Sequence, residues 1–380
     1  MHYSKKIVKD SLFIFLLALL TRTVYNFIFV ELEYLVTEDQ ALYIQLAKQF
    51  SITGFLGVDT ERMPGYPLFL SSIYFFLDDK IWNVVVIQSL LDSISCVMVA
   101  LMAQSIFSKG FWTAGVLSAI NLNMIILSAS LLTDTLFLFL FILFLFSLLQ
   151  YIKSGHVKWL FLLVLFISLA TLVRSLSFYL LLILLIGLVI LRLWQRDNIL
   201  KIITLLVIFL TVSGALLGSI LQRNYQQYES IGLTSMTGTH LLGWVVPAVY
   251  QYSGRGSYQE GQKIAKERLA LVLQRDRLSL ESLNSFERSS YKANVGKDIL
   301  LEFGFIDVLK AWTIGSVINI LSPSVAFSPA LRSLKNPSFY MTKGSGIIEK
   351  LFNYIKNSSG LLYLTILVVG FIVSVIFTTL

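Results

Sequence analysis

The chain has 380 residues, of which 56% are hydrophobic and only 14% are charged, and its mean hydropathy is +0.77. A soluble domain of this size needs far more polar surface, so the composition excludes a soluble protein and indicates a membrane protein. The formal net charge of +8 is better explained by basic residues on the cytoplasmic side of a membrane than by a nucleic-acid partner.

The first apolar run follows Lys5, Lys6 and Lys9 and continues past Arg22 without a small-residue cleavage site. It is therefore predicted to be an uncleaved span rather than a signal peptide. A span needs about 20 apolar residues to cross a hydrocarbon core of about 30 Å. On this rule the sequence predicts an all-α polytopic membrane protein with about nine transmembrane helices, at 11–30, 81–107, 111–129, 132–150, 159–173, 176–194, 199–221, 308–327 and 360–380.

The charges predict how these spans are oriented. With the N-terminus in the cytoplasm, the inner segments hold 14 Lys and Arg residues against 3 acids, whereas the first outer loop, 31–80, holds 3 basic and 8 acidic residues. This asymmetry is typical of a protein of the cytoplasmic membrane. We expect three regions: a transmembrane module (1–221) that includes outer loop 31–80, an outer helical segment (222–307), and a C-terminal transmembrane hairpin (308–380) with a basic cytoplasmic loop (328–359).

A short helix is predicted at the start of the first outer loop. Thr37 and Gln40 form a capping-box pattern, so the helix should begin at about Glu38, with Asp39 in its first turn. Tyr43, Leu46, Ala47 and Phe50 follow on one face, and this apolar stripe should lie against the membrane.

A turn and a second short helix are predicted next. Pro64 and Gly65 suit the central positions of a type II turn, and Pro67 suits the first position of a helix. Such a turn can bring Arg62 and Tyr66 close to Asp39 at the outer surface. The simpler interpretation also stands, in which the acids only mark the outer face and the turn only reverses the chain.

Two charges lie inside predicted spans. Arg22 is about 18 Å from the inner end of its span at Asp10, and Asp92 is about 16 Å inward from Ile81, at 1.5 Å per residue. Because an unpaired charge in a membrane is costly, we expect Arg22 and Asp92 to pair. An alternative is that Asp92 lines a polar cavity. The three histidines are too far apart to suggest a zinc site.

Three stretches carry a family pattern. They are "EDQALYIQLA…ERMPGYPLFL", which contains Asp39, Tyr43 and Arg62, then "SLLTDTLFLFL" with Thr133 and Asp134, and "LATLVRSLSFYLL" with Arg174. In this order they resemble the GT-C superfamily of membrane glycosyltransferases, more closely glycosyltransferase family 39, with the protein O-mannosyltransferases and the lipid A aminoarabinose transferase as relatives. The resemblance covers roughly residues 10–195, and it implies a GT-C-like helix bundle with interfacial helices in the first outer loop.

The resemblance also implies an activity, the transfer of a sugar from a polyprenyl-phosphate-linked donor to a glycan, lipid or protein acceptor on the outer face of the membrane. The base that takes the acceptor proton would be Asp39, with Glu38 as the alternative, and a single direct displacement would invert the anomeric centre. Arg62 and Arg174 would bind the donor phosphate. The sugar would contact Tyr43 and Tyr66, and His240 is a further candidate for substrate contact. No cofactor is expected, although a divalent ion at Asp39 and Glu38 stays open, since some GT-C enzymes use one.

Two other functions compete with this one. A transporter of lipid-linked oligosaccharide would need broken helices and ionisable residues at the membrane midplane, and Asp92 is the only strong candidate for such a residue. A polysaccharide polymerase or ligase would share the substrate chemistry and a large outer segment.

Overall fold

The computed structural model describes residues 5–29, 38–53, 59–321, 342–344, 346–357, 365 and 368–372, and all regular secondary structure within them is helical. The predicted all-α class is confirmed. The described residues form two compact units, the second of which contains Thr60–Arg62 and the described residues from Asn224 onward. Helices of the first unit are α1 (Lys5–Phe29), α2 (Glu38–Thr53), α3 (Gly65–Phe76), α4 (Ile81–Ile106), α5 (Gly110–Ala119), α6 (Leu122–Ser128), α7 (Thr133–Ser154), α8 (Val157–Val173), α9 (Ser177–Trp194) and α10 (Ile199–Tyr228), the last turn of which belongs to the second unit.

The second unit is built around its own apolar core. Its helices are α11 (Met236–His240), a π-helical turn (Leu241–Val245), α12 (Val246–Tyr252), α13 (Tyr258–Arg275), α14 (Ser285–Phe303), α15 (Phe305–Leu321) and α16 (Ile347–Asn357). Capping boxes start α13 at Ser257 and Glu260 and α14 at Asn284 and Glu287. The core joins α12, α13, α14 and α15 through buried side chains such as Val246, Leu269, Ile299 and Ala311.

Five described helices are long and apolar enough to cross a membrane, namely Lys5–Ile28, α4, α7, α9 and α10, and the number is seven if the bent pairs α5–α6 and α14–α15 each form one span. The chain reverses between α8 and α9 at Arg174, as predicted. Helix α8 has 17 residues, which gives a length of about 26 Å. The predicted span 360–380 lies mostly outside the described residues.

The predicted span 111–129 is broken into α5 and α6, whose axes differ by 49°. The side chain of Asn121 caps α6 by accepting a hydrogen bond from the backbone N–H of Met124 (3.2 Å). A polar side chain without a hydrogen-bond partner inside a span would be costly. The Asn121 side chain has a partner because it caps the start of α6.

The two short helices of the first outer loop form where they were predicted, but their faces differ from the prediction. The stripe on α2 is not lipid-facing, because Leu46 and Ala47 are buried and Ala47 packs in a cluster that contains Tyr66 and Leu70 of α3. Thr37, and with it the predicted capping box, lies outside the described residues.

The predicted type II turn at Pro64 and Gly65 is wrong. Pro64 has helical angles (φ −76°, ψ −13°) and is the N-cap of α3, and Gly65 is the first residue of that helix. Pro67 therefore lies in the first turn, where a missing N–H leaves no helical hydrogen bond unmade.

Residues 342–357 pack within the second unit. The Nζ of Lys350 donates to Oε1 of Gln251 (2.8 Å), and Nε2 of Gln251 donates to the carbonyl oxygens of Thr342 (3.3 Å) and Gly344 (3.0 Å). Burial lowers the pKa of Lys350 to about 8.

This contact joins two segments that the sequence assigned to opposite sides of the membrane. Residue 251 was assigned to the outer segment 222–307, and residues 342–350 to the cytoplasmic loop 328–359. Side chains in direct contact cannot lie on opposite faces of one membrane. The predicted boundary at residue 308 also fails to coincide with a boundary between compact units, since α15 shares the core of α12–α14.

Candidate active site

The side chain of Arg174 connects the C-terminal end of α8 with the N-terminal end of α7. Arg174 follows the last residue of α8, and its Nε donates to Oγ1 of Thr133 (2.9 Å) while Nη2 lies 2.7 Å from Oδ1 of Asp134. The guanidinium carbon lies 5.3 Å from the centroid of the Phe137 ring. Thr133 and Asp134 open α7, where the helix dipole favours a carboxylate. The side chain of Arg174 is 41% exposed, so its remaining N–H groups can donate hydrogen bonds to an anionic ligand.

Helix α3 packs directly on the end of α8 beside Arg174. A Cβ atom added at Gly65 would lie 2.6 Å from the carbonyl oxygen of Leu172 and 2.9 Å from the backbone nitrogen of Val173. Only glycine permits this distance. The glycine predicted to serve a turn therefore serves a close approach of two backbones.

Tyr66 is buried between α3 and α4, and its predicted contact with the sugar stays a prediction. Its side chain is wholly buried, and its hydroxyl donates to Oε1 of Gln88 (2.7 Å). Nε2 of Gln88 in turn donates to the carbonyl oxygens of Ser128 (3.0 Å) and Ser130 (2.8 Å). Burial raises the pKa of Tyr66 well above its ordinary value, so the hydroxyl stays protonated as a donor. This network joins α3 and α4 to the segment that leads into Thr133 and Asp134.

Asp39 lies on α2, which packs against α3. It is exposed in the first turn of α2, and Tyr43 follows one turn later on the same face. The ring of Tyr43 packs edge-on against Tyr66, with centroids 5.1 Å apart. Asp39 and Arg174 thus belong to helices that meet in one cluster. The side chain of Glu38 lies outside the described residues.

An aromatic ladder leads from Arg174 along α7. Phe137 stacks on Phe141 (centroids 5.7 Å apart), and Phe141 contacts Phe144 (5.4 Å). Phe141 and Phe144 then line an apolar groove of about 350 Å³, the other wall of which is α9, including Leu180, Ile183 and Gly187. The ladder therefore connects the guanidinium of Arg174 with an apolar groove.

Two predicted site residues lie in the second unit. Nη1 of Arg62 contacts Sδ of Met236 (3.6 Å). Nearby, the hydroxyl of Thr60 donates to that of Ser285 (2.8 Å) and shares a hydrogen bond with that of Ser235 (3.0 Å). His240 is exposed at the end of α11. Their predicted roles in phosphate and substrate binding stay predictions.

The predicted pair of Arg22 and Asp92 is confirmed. Nε and Nη2 of Arg22 both lie 2.7 Å from Oδ2 of Asp92, and both side chains are almost fully buried. Asp92 therefore does not line a polar cavity, which removes the main support for a transporter.

Sequence reasoning missed Gln88 and the aromatic ladder. Phe137, Phe141 and Phe144 recur at helical spacing, but this pattern is equally typical of a packed or lipid-facing helix surface. The sequence did contain a signal for Gln88, because a side-chain amide inside an apolar span needs a buried hydrogen-bond partner. No group of three or more His, Cys, Asp or Glu side chains that could hold a metal occurs in the part of the chain that the structure describes.

Comparison with known families bears on this region directly. Residues 61–217 match the model of the family described as dolichyl-phosphate-mannose-protein mannosyltransferase, and no curated protein matches the chain significantly. The match covers less than half of the chain. It includes Thr133, Asp134 and Arg174 but not α2 with Asp39. It confirms the resemblance drawn from the sequence and supports a membrane glycosyltransferase of the GT-C type.

Proposed function

We propose that the protein transfers a sugar from a polyprenyl-phosphate-linked donor to an acceptor hydroxyl on the outer face of the cytoplasmic membrane. The observation that carries this proposal is the position of Arg174, fixed by Thr133 and Asp134 at the head of the aromatic ladder and the apolar groove. The guanidinium would bind the donor phosphate, and the groove between α7 and α9 would take the first part of its lipid tail.

The chemistry requires one base and one cation. The acceptor oxygen attacks the anomeric carbon as the bond from that carbon to the phosphate oxygen breaks, and the electron pair leaves with the polyprenyl phosphate. Asp39 takes the acceptor proton, and Arg174 stabilises the charge that develops on the leaving phosphate. One direct displacement inverts the configuration at the anomeric carbon. The acceptor is a glycan, lipid or protein hydroxyl.

The test is transfer of radiolabelled sugar from a polyprenyl-phosphate donor by the purified full-length protein. Asp39→Asn should lower turnover at least about 100-fold, the lower range for loss of a general base, while leaving donor binding unchanged. Asp79→Asn is the matched control, because Asp79 is an exposed acid that only pairs with Lys48 (2.8 Å). Normal turnover in Asp39→Asn would remove Asp39 from the mechanism.

Arg174→Lys tests the donor site in the same assay. A lysine keeps the charge but cannot contact Thr133, Asp134 and a phosphate at once. The donor KM should rise about ten-fold or more, the effect of losing one charge-assisted bond. Arg196→Lys, an exposed arginine after α9, should leave it unchanged. An unaltered donor KM in Arg174→Lys would contradict the phosphate role.

A further inference from the structure

A sharp corner joins α14 and α15 in the second unit. The two helix axes differ by 109°, and the turn is made at Gly304, whose φ of 81° favours glycine. Helix α14 is polar and charged over most of its length, whereas α15 is mainly apolar. A polar helix that turns through about a right angle into an apolar one is the arrangement expected at a membrane surface.

The outward face of α15 requires an apolar environment. One face of the helix packs into the core of the second unit through Ala311 and Ile318. The opposite face exposes a continuous stripe of large apolar side chains, among them Phe305, Ile306, Trp312 and Ile320, each at least 60% exposed. Exposure of such a stripe to water is unfavourable. Tryptophan, the residue type of Trp312, is enriched at membrane–water interfaces.

A mainly apolar groove of about 480 Å³ opens at this corner. Its apolar lining includes Leu241, Leu301, Phe305 and Val308, and its polar lining includes Asn294 and Lys297 of α14. The groove therefore has an apolar floor that continues toward the α15 stripe and a polar edge on the side of the charged helix.

Lys297 supplies the charge of that edge. It is exposed and makes no ion pair with any residue that the structure describes. Two acids farther along the chain are engaged elsewhere: Glu302 binds Arg268 (2.8 Å), and Asp307 lies 3.7 Å from Arg255. An unpaired cation beside an apolar groove at a membrane surface is complementary to an anionic lipid.

We propose that the groove at the α14–α15 corner binds an anionic phospholipid, with one acyl chain on Leu301, Phe305 and Val308 and the phosphate at Lys297 and Asn294. This site is separate from the α7–α9 groove and does not depend on the proposed transfer reaction. A phospholipid is favoured over the polyprenyl phosphate carrier because phospholipids form the bulk of the surrounding membrane and occupy a weak site by mass action.

Lipid retention by the full-length protein tests this proposal. Detergent-solubilised protein is incubated with equal amounts of phosphatidylglycerol and phosphatidylcholine of identical chains, and bound lipid is counted by native mass spectrometry. Wild type should retain phosphatidylglycerol about five-fold more, the effect expected for one lysine near a lipid surface. Lys297→Glu should abolish the preference, and Lys266→Glu, which reverses an exposed lysine of α13, should not.

A second variant separates charge from space. Ala293 of α14 also lines the groove. Ala293→Trp therefore fills the groove with an apolar ring and should lower retention of both lipids, while gel filtration shows an unchanged monodisperse peak. If Lys297→Glu does not fold, Lys297→Gln and Ala293→Trp give the same answer. Equal phosphatidylglycerol preference in wild type and folded Lys297 variants overturns the proposal. Displacement of phosphatidylglycerol by equimolar polyprenyl phosphate would also overturn it, by assigning the groove to the carrier.

Discussion

At the scale of single residues, the buried pair of Arg22 and Asp92 shows how far the sequence reaches. Two charges at similar depth predicted the pair, because neither can remain alone in a membrane. The other partners of Arg22 were not predictable. Its Nη1 donates to the carbonyl oxygen of Ala119 (2.7 Å) and its Nη2 contacts that of Ser118 (3.5 Å). These carbonyls lie at the end of α5, so the arginine adds a charged donor there and also stabilises a break that the apolar pattern did not reveal.

This double role predicts an asymmetric mutant cycle. Arg22→Leu leaves the Asp92 carboxylate buried without a counter-charge, at a cost of about 3–5 kcal/mol, so the yield of folded protein should collapse. Arg22→Leu combined with Asp92→Leu should recover much of that loss, but not all, because the carbonyl group of Ala119 still loses its charge-assisted hydrogen bond from Arg22. The measurement is thermal unfolding of purified protein in detergent. A double variant no more stable than Arg22→Leu would show that the ion pair itself is not what stabilises this site.

At the scale of elements, the helices were predictable and their contacts were less so. Local signals gave the start of α2 at Glu38, the reversal at Arg174 and the approximate ends of most spans. The function of Gly65 and the burial of Tyr66 depend on how closely α3 approaches α8 and α4. Such interhelical distances are set by the packing of residues far apart in sequence, so the local sequence at 64–67 cannot predict them. The same reason explains why a local turn motif was predicted there.

Gly65→Ala tests whether the contact between α3 and α8 positions Arg174. The added methyl group must push against backbone atoms of Leu172 and Val173, which costs about 1–3 kcal/mol in a tightly packed site. We expect a lower melting temperature together with a raised donor KM, because Arg174 follows Val173 directly. Gly214→Ala in α10 is the matched control, since its added Cβ meets no atom within 4 Å. A variant with reduced stability but a normal donor KM would limit Gly65 to a packing role.

At the scale of the whole molecule, the order of motifs predicted the enzyme class better than the charges predicted the topology. The family match starts at residue 61, so the class rests on α3 to α10, where the motifs stand in the expected order. The positive-inside count placed 328–359 in the cytoplasm. That count treats each loop separately and cannot register that Lys350 is buried against Gln251. A lysine hidden from solvent contributes to the count without being a surface charge.

The contact between Lys350 and Gln251 makes a topological prediction that labelling can check. Between residues 252 and 342 the chain must cross the membrane an even number of times or not at all, so α13 and α16 share one side. Glu267→Cys and Asn357→Cys place thiols at exposed positions of these helices, and the native Cys96 is buried. Both thiols should react with an impermeant maleimide from the same side of sealed vesicles, with Lys6→Cys as the reference for the N-terminal side. Labelling from opposite sides would mean that α15 crosses the membrane alone and that α16 cannot pack on α12.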